Sequence, residues 1–430
     1  MPSEITLVLA NSLKSAKRGG KERSGVHAWH AYYAGFSENF VESALSYLNC
    51  TPGMIVLDPW GGSGTTSLVA SRNGFKSLSV EINPAISALS ASKSFEVLKR
   101  RDNLYRFIAA ARNSTLDDKY EPHTTVDAEL RLRCIVDSAG RSFQRLSKEY
   151  KKAATSFLRN DTDKVALSYP LAAFLQVAAF RLGRQSQLSE PLSNPTWTKH
   201  RKKIYRNSEL LGNIEEISRE MLADLDAAYR GCQGAQSIHF VGDSRRLPIS
   251  TGIIDAIITS PPYLTRIDYA VSAAPELSLM NTVASLREIR LDTMGSPVIR
   301  SSPVMQKSSW GEKCNRFLNS VATHESKAAK SYYLKHMLQY FEDMEKSLSE
   351  IRRVLRRGGK ALVVVQGSYF KEILCPLGEL YVDMAVGVGL KAEIVSSDRV
   401  SGHMAHLNKR SSKYQAHKVY SEDIVQLTKR

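Results

Sequence analysis

Ser260-Pro261-Pro262-Tyr263 stands directly after the apolar run Ile253-Ile254-Asp255-Ala256-Ile257-Ile258 and Thr259. Two consecutive prolines fix φ twice and remove two backbone donors, so the neighbouring carbonyls have no local amide to bond. What remains is a rigid set of acceptors, the Ser260 hydroxyl and the carbonyls, beside the flat face of Tyr263. Such a set suits a planar ring that carries an amino group. Taken alone, the tetrapeptide is equally an ordinary turn at the end of a strand.

A second constellation lies far upstream. Asp58-Pro59-Trp60-Gly61-Gly62-Ser63-Gly64-Thr65-Thr66 follows the apolar Met54-Ile55-Val56-Leu57 and leads into Ser67-Leu68-Val69-Ala70-Ser71-Arg72. Strand, glycine-rich turn and helix start let a backbone approach a cofactor closely at a helix N-terminus. No Lys precedes Thr66, which excludes a phosphate-gripping P-loop. Gly62 and Gly64 are not followed by a glycine three residues on, which excludes the G-x-G-x-x-G dinucleotide turn. Glu81 ends the next strand-like stretch, 23 residues beyond Asp58. A carboxylate there can accept from both hydroxyls of a ribose or cap the helix that follows; beside Asp58 and the glycine turn, the ribose role is preferred.

The elements that must hold these residues read as an α/β chain. Residues 1–26 are polar and basic and are expected to form a flexible arm. Ser37–Leu48 reads as a helix, and residues 27–97 with 236–430 form a discontinuous core. Residues 98–235 read as a helical, basic insertion with helices at Leu98–Arg112, Asp127–Lys152 and Asn213–Tyr229. Residues 290–328, rich in Ser, Pro and Gly, read as a second irregular region, followed by a long helix, Tyr332–Val354. Lys391–Ser396 and Asp423–Thr428 read as a closing antiparallel pair. The fold class expected is a Rossmann-like, mostly parallel sheet with an antiparallel C-terminal hairpin.

The chain has 430 residues and a formal net charge of +16, which suits a polyanionic partner. Between Arg131 and Arg206 there are 16 Lys and Arg against 5 Asp and Glu. This basic stretch reads as a DNA-backbone surface, densest at Lys199, Arg201, Lys202 and Lys203, with Trp197 able to stack on a base or to anchor its loop. Lys409 and Arg410 lie in a second basic loop, whose histidines lack metal-ligand spacing. The cysteines (Cys50, Cys134, Cys232, Cys314, Cys375) lie far apart, against a zinc site or disulfide framework and for a reducing cytosol. Residues 1–10 lack a basic leader, and the longest apolar stretch, Ala166–Phe180, contains Pro170, is too short to span a bilayer and reads as a buried helix. A cytoplasmic, nucleoid-associated protein without membrane or metal is expected.

With these residues in view, the chain resembles the S-adenosylmethionine-dependent DNA amino-methyltransferases. Asp58–Thr66 is similar to their D-P-F-x-G-S-G-T-T cofactor motif, and Ser260-Pro261-Pro262-Tyr263 to their catalytic motif in the form associated with N4-cytosine. His30, Tyr32, Phe36 and Ser37 match an H-x-Y-x-x-x-F-S segment that covers the methionine end of the cofactor, with Gly35 where a Lys is usual. Phe240–Ser244 resembles the segment whose acid, Asp243 here, contacts the adenine. Leu355–Lys360 resembles a late L-R-P-G-G turn, with Arg357 replacing Pro. The resemblance covers roughly residues 27–95 and 236–430. It implies S-adenosyl-L-methionine held by His30, Tyr32, Phe36, Asp58, Pro59, Trp60, Gly62, Ser63, Gly64, Thr65, Thr66, Glu81, Asn83, Asp243 and Ser244. It implies a flipped cytosine of double-stranded DNA presented to Ser260, Pro261, Pro262 and Tyr263, and a setting of restriction and modification with a cognate endonuclease. N6-adenine methylation uses the same geometry. Guanine-N2 methylation of RNA and an inactive DNA-binding relative are the remaining alternatives. Ring-carbon methylation of cytosine is disfavoured, because its Pro-Cys order is reversed at Cys375-Pro376.

Overall fold

Alternation of period two runs through the central strands, and both faces of the sheet they build are buried. The computed structural model describes residues 12–19, 22–30, 35–113, 134, 137–138, 141–159, 165–185, 189–191, 198–200, 207–264, 268–280, 285–399 and 418–430. In chain order the strands are β1 (Ile55–Asp58), β2 (Lys76–Glu81), β3 (Ala166–Leu167), β4 (Ser189–Pro191), β5 (Thr198–His200), β6 (Ser237–Val241), β7 (Ile254–Thr259), β8 (Leu355–Gln366), β9 (Ser368–Phe370), β10 (Ile373–Cys375), β11 (Lys391–Arg399) and β12 (Ser421–Thr428). One sheet has the order β11-β12-β8-β7-β1-β2-β6-β3, while β4–β5 and β9–β10 are separate hairpins. Pairings among β1, β2, β6, β7 and β8 are parallel; β12 runs antiparallel to both β8 and β11, and β3 to β6. This is the expected Rossmann-like, mostly parallel sheet with its antiparallel C-terminal pair.

Val56, Ala256, Ile258, Leu362, Val364 and Ile424 point into one apolar layer with Phe40, Val41 and Ala44. Leu57, Ile257, Ala361, Val363 and Val365 point into the other. Near-continuous apolar strands are what a sheet covered on both faces requires, and each fully buried Val, Leu or Ile contributes about 1.5–3 kcal/mol. The first layer is closed by α1 (Glu38–Tyr47), capped by Ser37 Oγ accepting from the Phe40 amide at 3.0 Å. Of the other helices used below, α2 (Thr65–Arg72) follows the glycine turn and α3 (Pro84–Ala91) follows β2. Further along come α4 (Pro170–Gln185), α5 (Asn207–Ala228), α6 (Ala274–Leu279) and α7 (Leu334–Val354).

Three expectations need correction. Residues 12–19 are docked rather than free: Ala16 is buried, its carbonyl accepts from the Ser37 amide at 2.9 Å, and Lys17 bridges to Phe36. The apolar run at Ala166 is not one helix. β3 takes its first residues and α4 opens at Pro170, where the missing N–H of proline costs nothing. The region 290–328 contains a regular amphipathic helix, Glu312–Thr323, which buries Cys314, Phe317, Leu318 and Val321 at helical spacing. The stretch 98–235 also supplies β3 to the sheet edge, and Phe174 of α4 and Met221 of α5 lie in the same core as the central strands.

Candidate active site

The glycine-rich turn and the Ser-Pro-Pro-Tyr turn stand side by side because β1 and β7 are parallel neighbours, Val56 opposite Ala256 and Leu57 opposite Ile257. From this pair the strand order leaves in opposite directions. Open α/β sheets bind ligands in the crevice at such a point, beyond the carboxyl ends of the strands. The two turns are also bonded: Thr259 Oγ1 donates to Asp58 Oδ1 at 2.6 Å, and Thr66 Oγ1 to the Ile258 carbonyl at 3.1 Å. Asp58 also accepts from the Trp60 amide at 3.1 Å. Burial pushes its carboxyl up to about 6, against the hydrogen bonds that favour its charged form.

Gly62 and Gly64 have φ of +47° and +83°. A side chain at Gly64 would also place its Cβ 2.8 Å from Ser90 Cα, so only glycine serves there. Glu81 closes the turn from the neighbouring strand, accepting from the Gly62 amide at 3.0 Å and the Asn83 amide at 2.9 Å. Burial pushes its carboxyl up to about 7. The helix after β2 is capped by Asn83, whose Oδ1 accepts from the Ala85 amide at 3.0 Å, so capping is not the role of Glu81. Asn83 Nδ2 and Ser63 Oγ are buried without a partner. Unpaired buried polar groups are costly, and a ribose and an amino-acid group would satisfy them. The site therefore fits S-adenosylmethionine.

In the second turn Ser260 Oγ lies 3.2 Å from the Val364 carbonyl and 3.2 Å from Tyr263 Oη. Tyr263 Oη in turn lies 3.5 Å from Glu422 Oε1 of β12. Burial, then Glu422, raise the Tyr263 hydroxyl well above its ordinary value, so it stays protonated. The Pro262 carbonyl is not an idle acceptor: Tyr340 Oη of α7 donates to it at 2.9 Å.

The other expected residues are distributed unevenly. His30 Nε2 lies 3.1 Å from Glu276 Oε1 of α6, whose carboxylate Arg184 of α4 also holds, with Nη2 on Oε2 at 3.0 Å. Burial pushes the Glu276 carboxyl up, but His30 and Arg184 outweigh it and hold it at about 2. The Phe36 carbonyl accepts from Arg18, and its ring meets Phe40 edge-on at 5.6 Å. Pro59 and Trp60 lie in the turn itself, Trp60 packed against the core. Asp243 accepts from the Arg245 amide at 2.8 Å and pairs with its guanidinium. Ser244 is not brought to the site: its Oγ, buried, meets Ser347 Oγ of α7 at 3.0 Å. Tyr32, Trp197, Arg201, Lys202, Lys203, Lys409 and Arg410 lie outside the described residues, and Lys199 is described only as backbone of β5.

Arg18, Lys93, Thr259, Glu276, Tyr340 and Glu422 were not singled out from the sequence. Lys93 carried a signal, as the lone charge in the run from Pro84 to Ser94. Thr259 adjoins the Ser-Pro-Pro-Tyr turn, whereas nothing local marks Glu276 or Glu422. Among the described residues no group of His, Cys, Asp and Glu could hold a metal, and no helix is long and apolar enough to cross a membrane.

Residues 9–92 match a family model described as DNA methylase, of the N6/N4 type, and residues 304–363 match one described as methyltransferase domain. The chain is similar to the Type II methyltransferase M.BsoBI of Geobacillus stearothermophilus, 26% identical over 310 residues, 66% of this chain and 58% of that protein. It is also similar to the Type II methyltransferase M.MjaII of Methanocaldococcus jannaschii, 23% identical over 336 residues, 61% of this chain and 63% of that protein. The chain thus spans less than two thirds of the length of both relatives. A solved rRNA methyltransferase, aviRa of Streptomyces viridochromogenes, aligns at 9% identity with a TM-score of 0.29.

Proposed function

We propose, from the premise that this chain belongs with the S-adenosylmethionine-dependent DNA methyltransferases, that it methylates the exocyclic N4 of a cytosine flipped out of double-stranded DNA at a specific site. The observation that carries this reading is the bonded pair of turns, Asp58 to Thr259, which sets Ser260 beside the cofactor turn. Serine in the first position of the Ser-Pro-Pro-Tyr turn favours cytosine over adenine.

When bound, S-adenosylmethionine supplies a sulfonium methyl, an electrophile that needs no further activation. The chain's task is then to position an amine, which is worth much of a barrier by itself. Cytosine's amino nitrogen is a poor nucleophile because its lone pair is conjugated with the ring. Ser260 has one proton, and the Val364 carbonyl is there to take it, which leaves Oγ lone pairs to accept from the substrate amine. That hydrogen bond favours a pyramidal nitrogen with an available lone pair. The Tyr340 and Glu422 contacts hold Pro262 and Tyr263, so the turn needs little reorganisation. Extracting the base costs a few kcal/mol, and the basic stretch around Lys199–Lys203 supplies phosphate contacts against that cost. A cognate endonuclease acting on the same site completes the proposal.

Nucleoside mass spectrometry of DNA from a host expressing the protein tests it. N4-methylcytosine is expected; N6-methyladenine would transfer the reading to adenine, and unmodified DNA from a protein that binds the cofactor would reject DNA as substrate.

A further inference from the structure

Two cations meet at the amino end of α2, and neither belongs to the motifs that mark the cofactor turn. Lys93 is 2% exposed, and its Nζ donates to the Ser63 carbonyl at 2.7 Å. A lysine ammonium has three donors, and a buried charge whose bonded partner is a neutral carbonyl is costly. Burial, and then Arg18, push Lys93 down to about 7 against the smaller pull of Glu38, so a further anion would restore its charge. Arg18 reaches the same place from the docked arm, donating to Thr65 Oγ1 at 2.8 Å and to the Phe36 carbonyl at 3.0 and 3.2 Å. Its guanidinium occupies the space a side chain at residue 35 would need, 2.6 Å from where the Cβ would stand. Gly35 is thus the opening through which the arm places a cation on the cofactor turn.

Between these cations the first turn of α2 has no side-chain cap, and Ser63 Oγ is 4% exposed and unpartnered. Helix N-terminal amides carry partial positive charge and favour an anion. We propose that Arg18 and Lys93 form a two-cation subsite at the amino end of α2 that takes the carboxylate of the cofactor's amino-acid moiety. The inference rests on the cofactor reading given above.

Calorimetric titration without DNA, where no turnover occurs, tests it. The ligands are S-adenosylmethionine and its decarboxylated analogue, which keeps the amine and the sulfonium. The wild-type protein is expected to prefer the carboxylate form by about 100-fold, the size of two charge-assisted hydrogen bonds. Lys93→Met and Arg18→Gln should each reduce that preference about tenfold while leaving the decarboxylated ligand within about twofold. Equal weakening of both ligands would reduce the two residues to scaffolding of the turn and overturn the subsite. The wild-type comparison stands even if Lys93→Met fails to fold: no preference for the carboxylate overturns the subsite alone. A wild-type protein that binds neither ligand overturns the cofactor reading with it.

Discussion

In the proposed reaction Ser260 serves the substrate and Glu81 the cofactor, and their substitutions should separate accordingly. Ser260→Ala removes one acceptor for the substrate amine and should lower kcat about 10- to 100-fold. Affinity for S-adenosylmethionine, measured by titration, should stay within about twofold, and methylation at the wild-type rate would remove Ser260 from the chemistry. Glu81 makes a pH prediction. Ribose hydroxyls donate to a carboxylate and so favour its ionised form, while burial holds the free site's carboxyl at about 7. Cofactor affinity should therefore rise as pH increases toward about 7, with proton release on binding below that point, and fall above it as Lys93 loses the proton that the cofactor's carboxylate favours. Titrations in buffers of different ionisation heat would count the protons, and Glu81→Gln should abolish the rise while leaving the fall. An affinity flat between pH 6 and 8 in the wild-type protein would contradict it.

At the scale of elements, β6 and α3 are joined through a neutral histidine. His239 lies between Ser90 Oγ at 3.0 Å and Ser94 Oγ at 2.9 Å, hydroxyls that match either tautomer without a charge. Burial lowers it to about 3. The unfolded chain takes up this proton near 6.5 and the folded one does not until about 3, so stability is lost as pH falls through that window. The loss reaches about 1.4 kcal/mol per pH unit. His239→Gln should give a shallower fall of the urea midpoint between pH 6 and 4, and an unchanged slope would show that the imidazole protonates in place. What could be read beforehand followed the same local logic. Periodicity and turn residues gave β1, the glycine turn, β7 and the β11–β12 pair, because their signals lie within each segment. The docking of Arg18 and the triad of His30, Glu276 and Arg184 depend on partners far apart in sequence, and no local pattern encodes them. The helix Glu312–Thr323 was obscured by the Ser, Pro and Gly around it, and β3 by the apolar run it shares with α4.

At the scale of the molecule, the net charge of +16 makes the proposed duplex substrate testable. Each phosphate contact releases counterions, so the logarithm of the affinity for a duplex should fall linearly with the logarithm of salt concentration. Replacing Lys199, Arg201, Lys202 and Lys203 with Ala should reduce that slope by roughly 3 to 4 if all four contact phosphates. Fluorescence anisotropy over a salt series measures it, and an unchanged slope would move the DNA surface elsewhere. The sheet carries a different global consequence. β12 lies between β8 and β11 and brings Glu422 to Tyr263, yet residues 421–428 follow every other strand in the chain. During synthesis the edge of β8, with Val363, Val364 and Val365, stays unpaired until those residues leave the ribosome. An exposed apolar edge invites aggregation, so the nascent protein is a natural client for chaperones.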